Sequence, residues 1–133
     1  MDNYLTVYKI LKLKIHQSQN LLDTSSEEIS CDARKVMISE LCQNIKDIEV
    51  TFSELIYELH KIEDECENDS KLMEVHESQI EKAAETLMEG LDMKTLLKLK
   101  IERLKEMNAI EKKKETIDIV TEIYIKFKFI GFV

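Results

Sequence analysis

A single heptad register can be followed from Ile38 to Leu104 without a slip in phase. Its positions are Ile38, Leu41, Ile45, Ile48, Phe52, Leu55, Leu59, Ile62 and Cys66, then Asp69, Met73, His76, Ile80, Ala83, Leu87, Gly90, Lys94, Leu97, Ile101 and Leu104. Every step is three or four residues, the spacing of one helix face. A register held this long describes a seam that winds left-handed around a partner helix. Unbroken, the span would make a helix roughly 100 Å long. Its apolar stripe must be covered, either by another chain or by the same chain folding back.

Both solutions are written into the sequence. Asp69 and His76 interrupt the seam, and so do Gly90 and Lys94. Asn68, Asp69 or Ser70 can cap a new helix, Gly90 can end one, and Asp92 can start the next. Met37, Ile56, Leu72, Ala84, Leu91 and Met93 are apolar beside the seam, which suits packing against more than one helix. The unbroken register favours a continuous rod; the cap signals favour a bundle of two or three helices. On register the rod is preferred.

Ahead of the seam, Tyr4, Tyr8, Leu11, Ile15, Ser18 and Leu22 mark one face of a shorter helix. It breaks at "DTSSEE", where Ser25 and Glu28 have the spacing of a capping box. Behind the seam the pattern changes. In "IDIVTEIYIKFKFIGFV" the residues Ile117, Ile119, Ile123, Ile125, Phe127 and Phe129 alternate with Asp118, Glu122, Lys126 and Lys128. That is the period of a β-strand, although Ile117, Val120, Tyr124 and Phe127 also keep helical steps. The expected fold is mainly α: an N-terminal amphipathic helix over 1–23, a long coiled-coil region over 26–112 with breaks near 69 and 90, and a C-terminal β-strand segment over 116–133. A lone strand leaves its backbone groups unpaired. Ile119, Ile123, Ile125, Phe127 and Phe129 are therefore expected to pair with a sheet in a partner, with a copy of the chain, or with strands of a longer protein.

Composition supports the helical reading. The 133 residues include no proline and two glycines, against about 7 and about 9 in an average chain. Charged residues make up 35% and aromatics 6%, a balance suited to long helices. The net charge of -8 argues against nucleic acid as a direct partner. No apolar run reaches the roughly 18 residues of a membrane span, and the lysine-interrupted N-terminus does not resemble a secretory signal. Cys31, Cys42 and Cys66 are odd in number and unpaired in spacing, which suits reduced thiols in the cytoplasm or nucleus. Charge is zoned. Glu58 to Asp92 holds twelve acids and three lysines, whereas Lys94 to Lys114 holds eight basic residues and three glutamates.

No chemistry-bearing constellation emerges. His16, His60 and His76 are dispersed, and no metal-ligand spacing joins them to cysteine or carboxylate. His76 reads as a core histidine and Cys66 as a small apolar filler. Glu63 and Glu67 form an acidic pair of the kind any charged helix carries. Lys112, Lys113 and Lys114 read as a solvated linker, or else as a contact for an acidic partner, nucleic acid or a microtubule surface. Neither an enzyme nor a cofactor is expected.

The layout of an acidic coiled coil running through a polar hinge into a strand resembles the small Spc-type subunits of the kinetochore's outer rod complex. The likeness rests on "KKKETIDIVTEIYIKFKFIGFV", which looks like their helix-to-first-strand junction. It implies a compact α/β head docked on the inner kinetochore, though the further strands and the tryptophan that usually follows the first strand are absent here. The expectation is a non-catalytic structural subunit of a hetero-oligomeric coiled-coil complex, in the kinetochore or the cytoskeleton, cytoplasmic or nuclear. Its interface seam would be Ile38, Leu41, Ile45, Ile48, Phe52, Leu55, Leu59, Ile62, Ile80, Leu87, Leu97, Ile101 and Leu104. The alternative is a compact helical-bundle adaptor or regulatory binding protein.

Overall fold

The computed structural model describes residues 3–25 and 29–129. Three helices account for nearly all of them: α1 (Asn3–Asp23), α2 (Cys31–Cys66) and α3 (Ser70–Phe129). The chain runs up, down and up again. Ser18 and Asn44, then Lys14 and Asp47, tie α1 antiparallel to α2. Arg34 and Asn108, then Glu49 and Lys94, tie α2 antiparallel to α3.

The rod is thus replaced by a hairpin. Asp69 is exposed and lies in the turn between α2 and α3. Its backbone N–H donates to Cys66 O at 3.0 Å, closing the end of α2. Its carboxylate accepts from Leu72 N at 3.1 Å, which makes it the N-cap of α3. Burying an unpaired aspartate in a seam would cost free energy that capping avoids. The second expected break does not occur: Gly90 lies inside α3 and is buried. A Cβ built there would meet Leu11 and Ile48 side chains at 3.7 and 3.8 Å, ordinary contact distances.

The start of α2 lies later than the capping box suggests. Ser30 is the N-cap, and its hydroxyl accepts from Ala33 N at 3.1 Å; Glu28 falls outside the described residues. The buried core is one continuous cluster drawn from all three helices, including Tyr4, Leu11, Leu41, Ile48, Leu55, Ala83, Leu97 and Leu104.

The C-terminal segment overturns the strand expectation. Residues 117–129, with Ile119, Ile123, Ile125, Phe127 and Phe129, continue α3 as helix, and no strand occurs among the described residues. Residues 130–133 lie outside them. The physical reason is backbone satisfaction. No second strand exists among the described residues to pair with, and only a helix fulfils the hydrogen bonds of a segment from within itself. Local contacts agree: Thr116 Oγ1 donates to Lys112 O at 3.0 Å, and Lys126 pairs with Glu122 one turn away. Lys126 and Lys128 in the last turn suit the negative end of the helix dipole.

Candidate binding surface

The polar groups inside the bundle join helices to one another. Tyr4 and His76 are both buried and share a hydrogen bond of 2.8 Å between the phenol and Nδ1, with their rings edge to face. Ser18 donates to Lys14 O and accepts from Asn44, so a buried hydroxyl on the α1–α2 face is fully used. Lys100, on α3, reaches the C-terminus of α1 and donates to Leu21 O, Leu22 O and Thr24 O at 2.9, 2.9 and 2.7 Å. Leu21 O also accepts from Thr24 N at 3.3 Å, and a cation is the group that the carbonyls of a helix C-terminus favour. Desolvation holds the Lys100 ammonium below the ordinary lysine pKa; Asp23 opposes this and Arg103 adds to it.

Arg34 closes the other end of the hairpin. Its guanidinium is 2% exposed, donates to Asn108 Oδ1 at 3.2 Å and pairs with Glu111 at 2.6 Å. Asn108 in turn donates to Cys31 O at 3.2 Å. Sequence reading missed this clamp, because an arginine just before a seam looks like a solvated helix start. The available signal was its place on the core stripe, three and seven residues ahead of Met37 and Leu41.

The seam residues lie on the faces that the helices turn toward one another. Leu41, Ile45, Ile48, Leu55, Ile62, Leu97, Ile101 and Leu104 are buried; Ile38, Phe52, Leu59, Ile80 and Leu87 are half-buried. Their partners are the other helices of the same chain. At the weak position Met93 is buried, while Lys94 turns aside to pair with Glu49 at 3.1 Å. His76 is in the core. Cys66 is buried there too, and burial lifts its thiol above the ordinary range, with Glu65 and Asp69 adding to the effect.

Beside Gly90 a groove of about 260 Å³ is lined by Ile48, Phe52 and Leu91, with the Glu49–Lys94 pair at its edge. Among the described residues no group of three His, Cys, Asp or Glu side chains could hold a metal ion. Nor is any helix among them long and apolar enough to cross a membrane.

What stands out is the end of α3. Every residue from Lys112 to Phe129 is exposed, over roughly 27 Å of helix. Along the bundle-facing side of α3, Leu97, Ile101 and Leu104 are followed at steps of four and three by Asn108, Glu111, Glu115, Asp118 and Glu122. The stripe that packs the bundle thus turns acidic at its end, and α3 runs on beyond the beginning of α2. A second line, Ile110, Lys113, Ile117, Val120 and Tyr124, lies roughly half a turn away around the helix. Ile117, Val120 and Tyr124 are 55%, 60% and 54% exposed. An apolar stripe at coiled-coil spacing, uncovered by α1 or α2, can receive one more helix.

Compared with known protein families, curated proteins and solved structures, the chain matches none. The junction that carries the kinetochore likeness is continuous helix from Glu111 to Phe129.

Proposed function

We propose that the protein is a non-catalytic binding module, a helical-bundle adaptor that holds out the end of α3 for another protein. The observation that supports this is the exposed stripe Ile117, Val120 and Tyr124 on a helix anchored at its other end in a packed bundle. The heptad seam is consumed inside the chain, so partner binding falls to the segment the bundle leaves uncovered. A place in the cytoplasm or nucleus fits three unpaired cysteines.

A structural-subunit role in a larger hetero-oligomer, of the kind the kinetochore resemblance implies, would use the same surface. The charge zoning along α3 favours it, since partner choice and register would be set by its acidic and basic stretches. The test is comparative capture from cell extract by the tagged full chain and by an Ile117→Asp/Tyr124→Asp variant. The reading expects proteins retained by the wild type and lost by the variant, with equal thermal melting of the two. Identical captures would overturn it.

A further inference from the structure

The charges around the exposed stripe are sorted by side. Lys113 lies on the stripe itself, between Ile110 and Ile117. Lys114 and Lys128, two heptads apart, border one flank, whereas the other flank carries Ala109, Thr116 and Ile123 and no charge. The acids of the same segment, Glu115, Asp118 and Glu122, all continue the opposite, bundle-facing line. Lys126 lies on that far side too, paired with Glu122, so Lys113, Lys114 and Lys128 make the stripe and one flank locally basic in a chain whose net charge is -8.

We propose that this end of α3 docks an amphipathic helix of another protein whose apolar stripe is bordered by Asp and Glu, which would face Lys113, Lys114 and Lys128. The inference rests on the binding-module reading above and adds the chemistry of the partner. Charge complementarity decides among the occupants. A second copy laid parallel would set Lys113 against Lys113. A second copy laid antiparallel, with Val120 against Tyr124, would bring Lys114 and Lys128 to the same edge. An anionic bilayer would meet acid along the same line further back on α3, where Glu85, Glu89 and Asp92 are exposed. A helix with acidic borders meets none of these repulsions, and opposite charges at the flanking positions are what fixes partner and register in paired helices.

The experiment uses the full chain and two synthetic helices of about three heptads each. Both carry Leu at the seam positions; one has Glu at all flanking positions and the other Lys. Titration by fluorescence anisotropy should show the Glu-bordered helix binding at least about tenfold more tightly at low salt, with the gap narrowing at high salt. Lys113→Glu/Lys114→Glu/Lys128→Glu should invert the preference. These residues lie outside the bundle, so circular dichroism should show unchanged melting. Ile117→Asp/Tyr124→Asp should abolish binding of both helices. Equal binding of the two helices would overturn the charge inference and leave the docking reading standing; binding of neither would sink both. Concentration-dependent dimers in light scattering, or co-sedimentation with phosphatidylserine-containing vesicles, either one lost in Ile117→Asp/Tyr124→Asp, would likewise overturn it in favour of a second copy or of lipid.

Discussion

The two parts of α3 are one helix with two fates. Up to Glu111 its core-facing line is Ala83, Gly90, Leu97, Ile101 and Leu104, all buried. Beyond Glu111 the same line is Glu115, Asp118 and Glu122, and no residue is buried. Propensity differs between the parts, since the outer one is rich in β-branched residues that favour helix less than the inner one's leucines and lysines do, yet both are helix. What separates them is the identity of one side chain per turn on a single line. Because the inner part is already folded, the outer part adds turns to an existing helix and avoids the cost of nucleating one.

That contrast can be tested by substitution, with the largest effects expected in the inner part. Leu97→Ala or Leu55→Ala removes a fully buried side chain and should cost about 2–5 kcal/mol in urea unfolding. Ile117→Ala in the outer part should stay within about 0.5 kcal/mol of wild type. A similar cost at both sites would mean that the end of α3 is covered in solution. Arg34→Ala leaves Asn108 and Glu111 without their shared donor; since Glu111 keeps access to water, a loss of about 1–3 kcal/mol is expected. Tyr4→Phe deletes the partner of buried His76 and should cost about 1 kcal/mol. Gly90→Ala should stabilise the bundle by about 0.5–1 kcal/mol, because the Cβ fits and the unfolded chain loses freedom; destabilisation there would reveal tighter α1–α3 packing. The smallest effect is reserved for deletion of 112–129, which should leave the unfolding midpoint unchanged within error. In hydrogen exchange the amides of that segment should be replaced long before those of residues 83–104.

The core was legible in the sequence wherever a step of three or four selected a side chain. Leu41, Ile48, Leu55, Leu97 and Leu104 appear on the seam and in the core alike. The same rule could not tell a rod from a hairpin. The turn consumes only Glu67, Asn68 and Asp69, and Cys66, Asp69 and Met73 happen to keep the heptad spacing across it. Phase continuity is a property of the sequence count, whereas a reversal of direction is not. Capping chemistry at Asp69 was the better witness, since its carboxylate has a defined acceptor role at a helix start. The C-terminal segment misled for a related reason. Where apolar residues occupy both Ile119 and Val120, or both Ile123 and Tyr124, periods of two and of 3.6 are satisfied together. The candidate surface was visible as residues but assigned the wrong geometry, and the partners of Arg34 and Lys100 were invisible because they lie more than seventy positions away.

Those long separations bear on the order in which the molecule assembles. α2 and α3 are joined by a three-residue turn, so their pairing starts from a short closure and can zip from Asp69 outward. α1 must then dock onto a hairpin already made, and it is held at both ends, by Tyr4 on His76 and by Lys100 on the carbonyls of its last turn. One ammonium that grips three carbonyls works as a latch on the final step. Its loss should speed unfolding more than it slows folding, a signature that stopped-flow traces of Lys100→Met would display as a steeper rise in the unfolding limb's intercept than fall in the folding one.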